Sequence, residues 1–197
     1  MTIKLDVSQQ DQSLFDKAAK TAVEKSGKIE FLVNNAGHGR ITNFEETSEQ
    51  SIKEVFEVNL FGTMRVTRAV LLFMRKQRSG HIFNISSGAG YCGGPTAYHS
   101  SKFAVTGFSC SLAFELALFG IRVTNVAPGM FRIGFYDGAK IKTDCDIHIA
   151  DYDKCRWQTD FMKENSKGNQ VGNPEKLGNL LYEVTYSDTP AALLARR

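Results

Sequence analysis

The chain has 197 residues, 42% of them hydrophobic and 23% charged, which is enough for one sizeable core and too little for two domains of ordinary size. A net charge of +3 is too small to mark a nucleic-acid surface, and the basic cluster Arg75-Lys76-Gln77-Arg78 falls where a helix should end, so it complements that helix's dipole instead. No apolar run reaches the length of a membrane span, and the first residues read as neither a signal peptide nor a transit sequence. A cytoplasmic protein without nucleic-acid or membrane partners is expected.

In chain order, Ile3-Lys4-Leu5-Asp6-Val7 has the alternation of a short strand. Residues 11–26 carry Leu14, Phe15, Ala18, Ala22 and Val23 at helical spacing, and Ile29 to Val33 reads as a buried strand. Thr47 with Gln50 has the pattern of a capping box, opening a helix that continues through Val55, Val58, Met64, Val66 and Ala69 to about Arg75. His81 to Ser86 is the next strand, Thr96 to Phe119 a long helix, and Ile121 to Ala127 a third buried strand. Strand and helix alternate regularly, which points to a parallel sheet covered on both faces.

From Gly129 to about Gly172 no period is visible, although Phe131, Phe135, Tyr136, Tyr152, Trp157 and Phe161 lie there. So long an insertion in a small domain is usually a lid or binding segment. Its aromatic side chains either meet an apolar substrate or pack the lid itself. Pro174 starts a last helix through Leu177, Leu180, Leu181 and Val184. Cys92, Cys110, Cys145 and Cys155 have no CxxC spacing and read as free thiols. Cys145, His148 and Cys155 lie among four aspartates but match no zinc spacing, so this stretch reads as a solvated loop. The glycosylation triplet Asn84-Ile85-Ser86 falls on a strand expected to be buried.

Tyr98 and Lys102 stand four apart, eleven residues and more after Ser87 in the run Asn84-Ile85-Ser86-Ser87-Gly88. On a helix that spacing puts both side chains on one face, about 5 to 6 Å apart at Cβ. A neighbouring ammonium favours the phenolate and lowers the tyrosine pKa toward the range useful for proton transfer. A serine hydroxyl arriving from a strand end would hold a carbonyl or hydroxyl oxygen against the phenol. The arrangement suits chemistry at a C=O or CH-OH group.

Other segments keep this trio company: Asn34-Asn35-Ala36-Gly37 after one strand, Asn59 within Val58-Asn59-Leu60-Phe61-Gly62, and Pro128-Gly129 after another strand. In this order and spacing they resemble the short-chain dehydrogenase/reductase family, over residues 2–188. The resemblance implies an α/β, Rossmann-like doubly wound parallel sheet, N-terminally truncated, with residues 1–197 as one domain and a lid at about 129–172. It also implies an oxidoreductase acting with NAD(P) on a carbonyl or secondary alcohol. Tyr98 would then give or take the hydroxyl proton, Ser87 would orient the substrate oxygen, Lys102 would also hold the nicotinamide ribose, and Asn59 would fix a water that relays protons. Cofactor contacts are implied at Asp6, Asn34, Ala36, Gly37, Tyr98, Lys102, Pro128 and Gly129. A homo-oligomer is implied as well, and the Tyr98 helix, apolar on more than one side, fits burial in a core or against a partner.

Three departures stand against that pattern. The strand, Gly-rich turn and helix that receive a dinucleotide's pyrophosphate are missing, because Gly37-His38-Gly39 follows the Asn34-Asn35-Ala36 strand end instead. Ile133 occupies the place of a threonine that would hold the nicotinamide amide. The interval from Ser87 to Tyr98 is about two residues short, which leaves Ser86 as a rival to the favoured Ser87. A redox-independent acid/base enzyme reusing Ser87, Tyr98 and Lys102, or a non-catalytic copy, is therefore the alternative reading. The missing first strand would also expose the edge at Ile29 to Val33, and Thr2 to Val7, or a partner chain, is expected to cover it.

Overall fold

The structure is a computed structural model that describes residues 2–133, 135, 141–155 and 170–186. Three parallel strands form its centre in the order β1 (Phe31–Asn34), β3 (Gly80–Ile85) and β4 (Ile121–Val126). Phe31 pairs with His81 and Asn34 with Asn84, while Gly80 pairs with Ile121 and Ile85 with Val126. Parallel strands need long crossovers, and helices supply them. Helices α2 (Glu49–Phe56) and α3 (Thr63–Gln77) lead from β1 to β3, and α4 (Thr96–Leu116) leads from β3 to β4. A second, two-stranded parallel sheet joins β2 (Gly39–Arg40) to β5 (Ile141–Lys142).

Alternation along each strand divides the core between the two faces of the sheet. Ile82 and Ile121 pack with Phe15 and Ala19 of α1 (Gln12–Ser26), Met74 of α3 and Leu112 and Leu116 of α4. The next residue on β3, Phe83, turns the other way and meets Val126 and Val184, the latter on α5 (Pro174–Tyr186). Helices therefore cover both faces. Apart from the strand expected at Ile3 to Val7, the expected strands and helices are found within about two residues of their predicted ends.

Four expectations are corrected. Thr2 to Val7 forms no strand and does not pair with β1. Asp6 instead accepts hydrogen bonds from the Ser8 amide and hydroxyl in a local turn, and Arg65 of α3 donates to the Val7 carbonyl at 2.9 Å. These bonds hold the segment against a helix rather than a sheet edge, and among the described residues β1 pairs with β3 alone, leaving Phe31 44% and Val33 51% exposed. The cap of α2 is Ser48, which accepts from the Ser51 amide, because Thr47 donates its hydroxyl to the Asn43 carbonyl instead. The predicted helix from Thr47 to Arg75 is interrupted by a wide π turn over Glu57–Gly62. Finally, Thr96–Phe119 is long and apolar enough to cross a membrane by length and composition. It nevertheless packs on β3 and β4 as a helix of the domain's core.

Candidate active site

At the carboxyl ends of the three central strands a cavity of about 380 Å³ opens between the β3–α4 loop, the β1–β2 loop and the stretch after β4. Gly37, Ser87, Tyr98, Lys102, Pro128 and Gly129 line it. Open α/β sheets bind ligands at this end. The sequence brought these six residues forward from four separate segments, and the fold gathers them. Asp6, Asn34, Ala36 and Asn59 do not line the cavity.

Tyr98 and Lys102 lie one turn apart on α4, with the Lys102 ammonium 5.9 Å from the centre of the Tyr98 ring. Lys102 is buried, and its Nζ donates to the Ile85 carbonyl at the end of β3 at 2.9 Å. Removal from water lowers its pKa to about 8. It is thus an ammonium at neutral pH that loses its proton readily.

The two serines have separate employments. The Ser86 hydroxyl is buried, donates to the Lys102 carbonyl at 3.0 Å and meets the Thr106 hydroxyl at 2.8 Å, which ties β3 to α4. Ser87 caps the short turn Gly88–Gly90, accepting from the Ala89 amide at 3.1 Å. Its hydroxyl proton is left for another acceptor, and the residue is only half-buried on the cavity wall.

Asn59 sits inside the π turn, a feature often found where a helix serves a site. Its amide nitrogen donates to the His38 carbonyl and to the Ser101 hydroxyl, and its oxygen accepts from the His38 amide. Ser101 in turn donates to the Tyr98 carbonyl at 2.7 Å. Gly37 lies between Asn59 and Lys102: a Cβ there would stand 3.2 Å from Asn59 Oδ1 and 3.5 Å from Lys102 Nζ. The side chain of Asn34 is committed elsewhere, donating to Thr67 and Asn84 in a buried network that Asn84 extends to Ser109. Asp6 is exposed in its turn, where hydrogen bonds from Ser8 hold its carboxyl below the usual range.

Sequence reasoning named Phe131, Phe135 and Ile133 but missed Ile41 and the anchor of the wall they form. Phe135 leans on the Tyr98 ring at 5.6 Å between centres, and Ile41, Ile133 and Phe131 continue the apolar wall. This wall is fastened by Asp146, whose carboxylate accepts from the Ser48 amide at 2.7 Å and pairs with buried Arg40. The Ser48 amide, then Ser51 and Arg40, bring its pKa down to about 2. Glu46 adds a bond from the Ile149 amide. The only sequence signal for this anchor was the run of acidic residues near 144–153. Of the aromatic residues expected to form the lid, Tyr136, Trp157 and Phe161 lie outside the described residues. Tyr152 donates to Glu45 away from the cavity.

The sequence pattern of the short chain dehydrogenase family matches residues 1–140. The chain is 35% identical over 190 residues to an oxidoreductase of Botryotinia fuckeliana, BOA17, covering 95% of this chain and 68% of that protein. It is 40% identical over 176 residues to a 3-ketodihydrosphingosine reductase of Bacteroides thetaiotaomicron, covering 88% of this chain and 65% of the relative. The chain belongs to the short-chain dehydrogenase family. Its fold matches the crystal structure of a short-chain dehydrogenase from Streptomyces avermitilis with a TM-score of 0.85 at 32% identity, covering 99% of this chain and 70% of that one. It matches ElxO with NADP bound with a TM-score of 0.73 at 26% identity, covering 95% of this chain and 71% of that one. The fold is therefore Rossmann-like, as the resemblance implied.

NAD(P) is the cofactor this family implies, and the described residues fit one end of it. Gly37 leaves a gap beside Lys102 that a Cβ would fill, and Pro128 and Gly129 line the same cavity. A nicotinamide and its ribose suit that cavity. Among the described residues no Gly-rich strand-to-helix turn is present for the pyrophosphate.

Proposed function

We propose that this chain is an NAD(P)-dependent oxidoreductase that interconverts a carbonyl and a secondary alcohol on a fairly apolar small molecule. The observation that carries the reading is the convergence of Ser87, Tyr98 and Lys102 on one largely apolar cavity. Ser87 donates to the substrate oxygen and holds it against Tyr98. The Tyr98 phenol gives its proton to that oxygen during reduction and removes it during oxidation. Lys102, positively charged at neutral pH, stabilises negative charge on the phenol and holds the nicotinamide ribose. Asn59, which holds the His38 amide and carbonyl, fixes the water that relays protons to Lys102. NAD(P), when bound, supplies or accepts the hydride.

The substrate class follows from the wall of Phe131, Phe135, Ile41 and Ile133. A ketone carrying an aliphatic chain fits it, and the similarity to a 3-ketodihydrosphingosine reductase supports that class. We further propose a cytoplasmic homo-oligomer, a dimer or tetramer, with neither nucleic acid nor membrane as partner. On α4, Phe103, Cys110 and Phe114 recur at intervals that keep them on one stripe, all exposed, with Phe114 87% and Leu118 88% exposed. A second copy of the same helix would remove such a stripe from water.

Calorimetric titration with NADH and NADPH tests the cofactor part. Binding tighter than about 100 μM supports it, and silence with both refutes it for this chain. Consumption of NADPH in the presence of an aliphatic ketone, abolished by Tyr98→Phe, tests the chemistry.

A further inference from the structure

His99 follows Tyr98 on α4 and is half-buried on the same cavity wall. Two features fix its ring. Its Nδ1 lies 2.8 Å from the carbonyl oxygen of Cys92, in the loop that runs from Ser87 to Tyr98. The ring also rests on Gly94, where a Cβ would come within 2.2 Å of Cε1 and 2.3 Å of Nε2. A residue larger than glycine at 94 would therefore push the imidazole out of its seat.

The Cys92 partner decides the tautomer. A carbonyl oxygen only accepts, so Nδ1 carries the proton and donates, and in the neutral ring Nε2 is left as an acceptor. Nε2 makes no hydrogen bond within the described residues. Its ring stands 6.0 Å from the Tyr98 ring, edge to face. Tyr98, Ser87 and His99 line one cavity, so the groups next to a substrate oxygen lodged against Tyr98 and Ser87 share that space with the His99 ring. Beyond Asn35, the two serines, Tyr98 and Lys102 the wall is largely apolar, so a fixed acceptor there distinguishes substrates that carry a donor from those that do not.

We propose that His99 is a specificity-determining residue that accepts a hydrogen bond from a hydroxyl near the substrate carbonyl, selecting β- or γ-hydroxy ketones over plain ketones of the same length. This rests on the reading above that a carbonyl is bound beside Tyr98. One uncharged hydrogen bond made in place of water is worth a preference of about three- to tenfold.

The test uses the whole chain and two probes, a ten-carbon aliphatic ketone and its β-hydroxy analogue, with dissociation constants from calorimetry so that no turnover is required. The hydroxy ketone should bind about three- to tenfold more tightly. His99→Phe should bring the two constants together. His99→Gln, which retains an acceptor, should restore part of the preference. Gly94→Ala should abolish it without altering His99, by displacing the ring. Equal binding of both probes to the unaltered chain, or a preference that survives both His99→Phe and Gly94→Ala, overturns the role of His99 but leaves the carbonyl site standing. If neither probe binds, the carbonyl site itself is wrong and the inference falls with it.

Discussion

At the two ends of β3, a base is withdrawn from water and handled in opposite ways. His81, near the start of the strand, is buried against Phe83 and Thr124, and burial followed by the nearby Arg122 charge lowers its pKa to about 4. Lys102 reaches the last residue of the strand, Ile85, and keeps a pKa of about 8. Below that value, and so at neutral pH, Lys102 is charged and His81 is not. His81 is filler that has given up its charge. Lys102 retains a charge that the surroundings disfavour, and such a cost is expected where a group has a chemical task rather than a packing one. In the proposed reading the amino end of this sheet serves stability and the carboxyl end chemistry.

The largest expected effect breaks that contrast at the chemical end. Tyr98→Phe and Lys102→Met should each lower kcat/KM by about 10² to 10⁴, the usual contribution of a positioned acid or base, with the fold retained by circular dichroism. Lys102→Arg should not rescue, because a planar fork does not replace a compact ammonium at the Ile85 carbonyl. A loss smaller than about tenfold for Tyr98→Phe would remove it from the mechanism. In the unaltered chain, activity should fall as pH rises past about 8, where Lys102 gives up its proton.

The two adjacent serines sharpen the contrast over a single peptide bond. Ser87→Ala should cost about 10² in kcat/KM, the scale of one lost oxygen-holding donor, with little effect on stability. Ser86→Ala should leave kcat/KM within a few-fold but lower the urea midpoint, since the Lys102 carbonyl and Thr106 hydroxyl lose a buried partner, at a cost of about 1–2 kcal/mol. The reverse ranking in a steady-state assay would place the working hydroxyl at Ser86.

The legibility of the chain follows the range of the interactions involved. Tyr98 and Lys102 were readable because their relation is one helical turn, and the strand ends expected at Val33, Ser86 and Ala127 lie within one residue of the observed ones because apolar runs stop there. The tie between Arg40 and Asp146 joins residues 106 apart, and nothing local in either segment announces the other. Thr47 and Ser48 both carry a hydroxyl suited to cap α2, and the choice is made by the Asn43 carbonyl, which takes Thr47 away. The alternation of Ile3 to Val7 would be the same with or without a neighbouring strand, so Arg65 and Ser8 decide its course. A π turn adds one residue to a helical turn and leaves the apolar pattern nearly unchanged, which hid the local setting of Asn59 while its place in the motif stayed visible.

Lys102 also supplies a stability prediction with a definite sign. Its folded pKa of about 8 lies below the ordinary value of 10.5, so burying the charged form destabilises the fold at every pH below 8, and the penalty fades as pH rises from 8 to 10.5. The Lys102→Met variant should therefore be more stable than the unaltered chain at pH 7, by up to about 3 kcal/mol less whatever the lost Ile85 bond was worth. That advantage should shrink toward pH 10. Equal or lower stability at pH 7 in urea titrations would show that the ammonium is not paying a desolvation cost.

His81 gives the smaller effect, with the same sign but in a more acid window. Its folded pKa of about 4 lies below the ordinary 6.5, so the unfolded chain binds the proton first as pH falls. Stability is fully present above pH 6.5 and is lost progressively between 6.5 and 4, by about 2 kcal/mol at pH 5. His81→Gln keeps a hydrogen-bonding group for Thr124 but cannot be protonated, so this part of the acid loss should disappear from its urea midpoints between pH 7 and pH 5. The catalytic pH profile above pH 7 should be unchanged by the same substitution, because His81 and the cavity sit at opposite ends of β3. A variant that shifted the alkaline limb of that profile would show that the two ends are coupled through the strand, and the division between a stabilising end and a reactive end would have to be abandoned.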